Sequence, residues 1–215
     1  MGRVTRRGRV AAGLRSVAAV AVASAILVLA GCSGANAGSR ASDDFAEYMA
    51  GVPGVIGVGG FISNNLPFLG SGDLTVDLDP SADEATIDAA VTRAGEFEPG
   101  MGVEIYTLTT LMPIDDETAP GAALSIQRPW SDPAEGVVAQ LDDLRSIDGL
   151  AEYMEQRQPE YDAETVRPTV EVLIAEGIND PCAAVTEVLR VSPADAESFA
   201  PWQRMGDTRL PLECP

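Results

Sequence analysis

The chain has 215 residues, of which 33 are acidic and 14 basic, giving a formal net charge of −19, and it contains no His. All 14 basic residues are Arg, so Lys is absent too. Without His the Ser-His-Asp and Cys-His nucleophile systems and His-type zinc sites are excluded, and without Lys so are Schiff-base chemistry and the phosphate-loop lysine. Carboxylates, Tyr, hydroxyls and Arg are left for any catalysis. The acidic balance repels nucleic acid and anionic headgroups, so no nucleic-acid partner is expected. Cations, basic surfaces and neutral molecules are the compatible partners.

The N-terminus is the one exception to this balance. Arg3, Arg6, Arg7, Arg9 and Arg15 precede Val17–Ala30, fourteen residues without a charge. That length suits a signal-peptide core and falls short of the ~20 apolar residues that span a bilayer. The run closes on Leu29-Ala30-Gly31-Cys32. This resembles the bacterial lipoprotein signal, whose lipobox has a Leu, two small residues and a Cys. The resemblance covers the first 32 residues. It implies cleavage between Gly31 and Cys32, acylation of Cys32, and residence at the outer face of the cytoplasmic membrane, held through the lipid. Each buried CH₂ of such a lipid contributes about 0.8 kcal/mol, so two or three acyl chains anchor durably. Cleavage would leave 184 residues with 9 Arg against 33 acidic residues, a net charge of −24.

After the signal (1–31), Cys32 to Ala41 is Ser-, Gly- and Ala-rich and reads as a flexible tether. Ser42 opens a short helix with Phe45, Tyr48 and Met49 on one face. Val55–Ile62 reads as a strand, Asn64 to Gly72 as a loop and Leu74–Leu78 as a second strand. Ser81 and Glu84 form a capping box before Ile87, Ala90, Val91 and Ala94, spaced as a helix face. Met101–Leu111 reads as a third strand. Residues 113–120 read as an acidic linker, and Ala122–Gln127 as a short strand. Asp132-Pro133 opens a helix with Val137, Val138, Leu141 and Leu144 inward, and 149–157 reads as another helix. Thr165–Ala175 reads as a strand with Pro168 at its start or on an edge. Asp180-Pro181 starts a helix through Arg190, with Asp as cap and Pro in the first turn. The tail from Ser192 reads as irregular.

Short segments recur. Ala46–Met49 resembles Ala151–Met154, Thr75–Leu78 resembles Thr169–Val172, and Ala89–Thr92 matches Ala183–Thr186. The last two pairs share an offset of 94 residues. The fold expected is α+β, with duplicated helix-strand-strand-helix-strand units at 42–111 and 112–191 forming a ferredoxin-like plait variant. The tail, 192–215, would be tied by a disulfide. With Cys32 acylated, Cys182 and Cys214 remain as an even pair in an oxidising compartment, which reads as that bridge.

Several patterns invite chemistry. Asp77, Asp79 and Asp83 have the spacing that opens a calcium loop, but the expected Gly is Ala82 and the closing Glu is Asp88. A strand end followed by a helix cap explains the same residues. Gly54, Gly57, Gly59 and Gly60 do not lead from a strand into a helix, as a nucleotide loop must. Asp115-Asp116-Glu117 and Asp142-Asp143 read as solvated acidic faces. Trp130 and Trp202 each follow Pro and suit either a binding surface or a core cap. No catalytic residue and no cofactor is assigned. The sequence-level expectation is a lipid-anchored, non-catalytic binding or interaction module, with an envelope protein or a small ligand as partner. The alternatives are a cation- or small-ligand-binding lipoprotein and a carboxylate-based envelope hydrolase.

Overall fold

The computed structural model describes residues 37–66, 68–114, 122–132, 136–158, 167–194 and 198–214. The signal segment, Gly31, Cys32 and the Asp115-Asp116-Glu117 cluster lie outside them. The elements are α1 (Ala37–Met49), β1 (Val55–Leu66), β2 (Leu69–Leu78), α2 (Glu84–Gly95), β3 (Val103–Pro113), β4 (Ala123–Pro129), α3 (Val137–Arg145), β5 (Leu150–Gln158), β6 (Arg167–Ile174), α4 (Pro181–Val191), β7 (Phe199–Met205) and β8 (Thr208–Pro211).

All eight strands form one mixed sheet in strict chain order, β1 to β8. The pairs β1–β2, β3–β4, β5–β6 and β7–β8 are antiparallel, and β2–β3, β4–β5 and β6–β7 are parallel. A parallel neighbour needs a crossover, and α2, α3 and α4 supply the three. Crossovers of one hand that always step the same way along a sheet leave their helices on one face. Accordingly α2 packs on α3, α3 packs on α4, and α1 covers β1 and β2. The body is therefore four consecutive helix-strand-strand units, with one helix layer on one sheet face.

Strand alternation builds the core. Leu74, Val76 and Leu78 of β2, Leu108 and Met112 of β3, Leu124 and Ile126 of β4, and Val170, Val172 and Ile174 of β6 point under the helices. They join Phe45 and Met49 of α1, Ile87 and Val91 of α2, Leu141 and Leu144 of α3, and Val185 and Val188 of α4 in a single cluster. Each such side chain stabilises the fold by about 1.5–3 kcal/mol through burial. The Cys182–Cys214 disulfide, with Cα atoms 5.5 Å apart, fastens the chain after β8 to the first turn of α4.

The α+β class matches expectation. The order of the sheet does not match a ferredoxin-like plait, which interleaves its strands, and the units of 42–111 and 112–191 share one sheet. Helix α1 begins at Ala37, so it takes in residues 37–41, which composition gave to the tether. The loop expected over 64–72 is mostly strand, because Gly70 and Gly72 sit where a side chain has no room. A Cβ at Gly72 would collide with the Phe61 carbonyl, and one at Gly70 would lie 2.9 Å from Gly38 of α1. The 149–157 segment is strand β5, and the tail from Ser192 contains the β7–β8 hairpin. Asp83, not Ser81, caps α2, accepting the Thr86 N–H at 2.8 Å.

The 94-residue offset extends well beyond the two short matches. It carries α1, β1, β2, α2 and β3 onto α3, β5, β6, α4 and β7, with C-terminal ends agreeing within two residues. The third match fails, since Ala46–Met49 lies on α1 and Ala151–Met154 on β5.

Candidate interaction face and a buried polar network

Residues paired across neighbouring strands point to the same side, so the register assigns the sheet face that carries no helix among the described residues. One cross-strand row runs Gly59, Thr75, Thr109, Gln127, Gln156, Thr169. The next runs Gly57, Asp77, Leu111, Ser125, Met154, Glu171, Ala200. Polar side chains dominate the first, whereas the second sets Asp77, Ser125 and Glu171 among Gly57, Leu111, Met154 and Ala200. The first row is tied to the one beyond it, where Asp73 pairs with Thr107: Thr107 Oγ1 donates to Asp73 Oδ1 at 2.7 Å, and Gln127 Nε2 donates to Thr107 Oγ1 at 3.0 Å. Asp77 lies over Gly57, where a Cβ would come within 2.6 Å of its Oδ2. Partial burial there raises the Asp77 carboxyl above the ordinary Asp range. Asp73, Asp77, Glu152 and Glu171 make this face acidic.

The two ends of the face differ. At the β1 edge Phe61, level with Asp73, is 76% exposed. Toward β8, Leu173 is buried although it belongs to the uncovered face, with Glu152 and Trp202 on either side. Arg209 of β8 donates to Glu152 of β5 at 2.8 Å, spanning the two strands that carry Leu173 and Trp202. Trp202 thus sits half-buried on the open face, whereas Trp130 packs against the core.

The helix-covered side holds a polar network. Glu155 of β5 is fully buried and accepts from Tyr153 Oη, from Arg157 Nε and from Gln140 Nε2 of α3, the last at 2.6 Å. Arg157 Nη2 donates to Gln140 Oε1 at 3.0 Å, and Tyr153 Oη reaches Ser192 Oγ at 3.2 Å. Burial first, then the Glu155 charge, pushes the Tyr153 phenol far above its ordinary value. Every polar group named here has a partner, so the network locks α3 to β5 and offers no free base. Arg128 of β4 is also buried; its Nη1 donates to the Asp132 carbonyl, while Nε and Nη2 have no partner among the described residues. Burial lowers its pKa from the ordinary Arg value.

The sequence-predicted ligands do not converge. Asp79 Oδ1 accepts from the Ser81 N–H at 2.8 Å and from its hydroxyl at 2.7 Å, Asp83 caps α2, and Asp77 lies on the open face. Those hydrogen bonds hold the Asp79 and Asp83 carboxyls below the usual range. Among the described residues no cluster of three or more Cys, Asp or Glu side chains is placed to hold a metal ion. Asp142 pairs with Arg145 on α3, as expected of a solvated face. A groove of about 850 Å³ lies between the end of α3 and the start of α4 and is lined by Ile147, Ile178, Ala184, Asp180, Glu187 and Arg190.

Sequence reasoning missed the open-face ladder and the buried network. Asp73, Thr75 and Asp77 alternate with Leu74 and Val76, a period-2 signal that was present. Tyr153, Glu155 and Arg157 alternate as well, but two of the three are charged, so hydropathy gave no cue that this is a buried strand face. Comparison with known proteins finds no matching family model, no similar curated protein and no matching solved structure.

Proposed function

We propose that this chain is an extracytoplasmic lipoprotein, anchored through Cys32, whose body is a non-catalytic binding module using the open face of the sheet. One observation carries the reading: among the described residues the eight strands carry helices on one side only, and the other side displays a hydrogen-bonded polar chain from Asp73 through Thr107 to Gln127. Backbone-anchored hydroxyls, amides and carboxylates on a rigid sheet bind by hydrogen bonding and charge. They suit an envelope protein with a basic surface, or a small hydroxyl- or amine-rich ligand. The 94-residue offset, which relates five elements of the first half to five of the second, supports an origin by duplication that lengthened the sheet and so the face.

The test has two arms. Intact mass of the mature protein should show acyl chains at Cys32. A photo-crosslinking residue at Thr109, at the centre of the face, should yield an adduct of defined mass in the intact envelope, and one at Glu187 on α4 should not. Adducts confined to the helix side would overturn the binding face, and a mature species without acyl mass would overturn the anchor.

A further inference from the structure

Two turns at one end of the molecule lock together back to back. One joins β1 to β2, where Leu66 pairs with Leu69. The other, Gly100–Gly102, leads into β3. The Gly70 N–H donates to the Gly102 carbonyl at 2.8 Å. Gly102 has φ +81° and could carry no Cβ, which would collide with the Phe68 carbonyl. Phe68 itself holds φ 73°, a left-handed conformation that is rare and strained for a bulky residue.

The same turns display apolar side chains. Leu66 is 60% exposed, Phe68 57%, Leu69 47% and Met101 100%. Phe68 and Met101 line one hollow of about 280 Å³ together with Arg40. On a soluble surface, contiguous apolar area of this kind marks a contact site.

The position of the knob indicates what it meets. Helix α1 starts on it: the Gly38 N–H donates to Asn64 Oδ1 of β1 at 2.8 Å, and Gly38 and Gly70 cross without room for a side chain. Cys32 precedes Ala37 by five residues. Five residues reach at most ~18 Å. An anchored Cys32 therefore keeps the knob close to the bilayer surface. Arg40, held at the rim by Asp44, has a long apolar stem and a head able to reach lipid phosphates. The rest of the body is too acidic to be drawn to a membrane by charge, so apolar insertion is the remaining means of contact.

We propose that Leu66, Phe68, Leu69 and Met101 form a second membrane contact, dipping into the interfacial layer of the bilayer that receives the Cys32 lipid. The proposal rests on the lipoprotein reading above. Together the lipid and the knob fix which way the open sheet face points.

The test uses the full, processed protein in phosphatidylcholine vesicles. Met101→Trp places a fluorophore on the knob, and Glu187→Trp places one on the far helix layer. With lipids brominated on the acyl chain, the emission added by Met101→Trp should fall about twofold, as expected at a depth of ~5–10 Å, while that added by Glu187→Trp should not change. If the protein carries acyl mass and floats with the vesicles, yet the Met101→Trp emission is unquenched, the contact is overturned and the lipoprotein reading stands. If it carries no acyl mass and does not float, both fall. A blue shift that appears without vesicles, together with a dimer mass, assigns the knob to a second copy and also overturns the contact.

Discussion

Arg157 places its guanidinium beside a carboxylate that has no access to water, with Glu155 at 0% side-chain exposure and Arg157 at 20%. Removing one member of such a pair strands the other, which typically costs about 3–5 kcal/mol. Arg157→Met is therefore expected to lower stability at pH 7 by about 3–5 kcal/mol, read as a shift in the urea midpoint. Adding Glu155→Gln in the same chain should recover most of that loss, because the amide still accepts from Tyr153 and no charge is buried. If the double substitution is no better than the single one, the charge of Glu155 is not what makes Arg157 necessary. This network illustrates what a sequence hides at the residue scale. The caps at Asp83 and Asp180, by contrast, lie within two residues of where helix-start chemistry placed them. A cap is a local transaction between neighbours in the chain. A buried Glu is satisfied by a Gln fifteen residues away on another element, and nothing local announces it.

Among the elements, the β7–β8 hairpin depends most on help from elsewhere. Its outer strand spans four residues with every side chain exposed. A hairpin of that size has little stability of its own. It is held by the Leu212 N–H to Pro201 carbonyl bond at 3.0 Å and by the Cys182–Cys214 bridge, which closes a 32-residue separation. Cys182→Ser with Cys214→Ser should remove about 3.5–4 kcal/mol by the loop-entropy account. Amide exchange should rise first over 199–211, ahead of the core strands; uniform loss of protection across the sheet would contradict this picture. The same hairpin was unreadable in sequence, since Pro201, Trp202, Gln203 and Arg204 show neither alternation nor β-branching. β5 was misread because Leu150, Tyr153 and Met154 happen to fall at helical spacing. Where buried side chains were apolar and regularly spaced, as at Ile87, Ala90, Val91 and Ala94 or Val137, Val138, Leu141 and Leu144, element type and inward face were both legible.

For the whole molecule, the register between strands, the open face and the contact of distant turns depend on pairings that no local pattern encodes. The 94-residue offset was partly visible, through two short matches at one spacing, but its extent needed the element boundaries. The two halves meet along the parallel β4–β5 pair and the α2–α3 contact, within one shared core. Residues 33–129 and 130–215, supplied as separate chains, should therefore combine one to one and restore the circular dichroism of the intact protein. Failure to combine would mean that covalent continuity, not the shared core, joins the halves.

Strict sequential ordering has one more consequence, for the history of the chain before it is finished. No strand waits for a partner still to come except the first, whose mate follows within three residues. The antiparallel pairs are local and favour rapid pairing, while each parallel pair waits on the helix between its strands. A polypeptide delivered amino end first through a narrow pore would find each new hairpin's landing edge already laid down. Apart from the outer edge of β1, only the growing tip, and never the middle, would be an unpaired border at any moment of delivery.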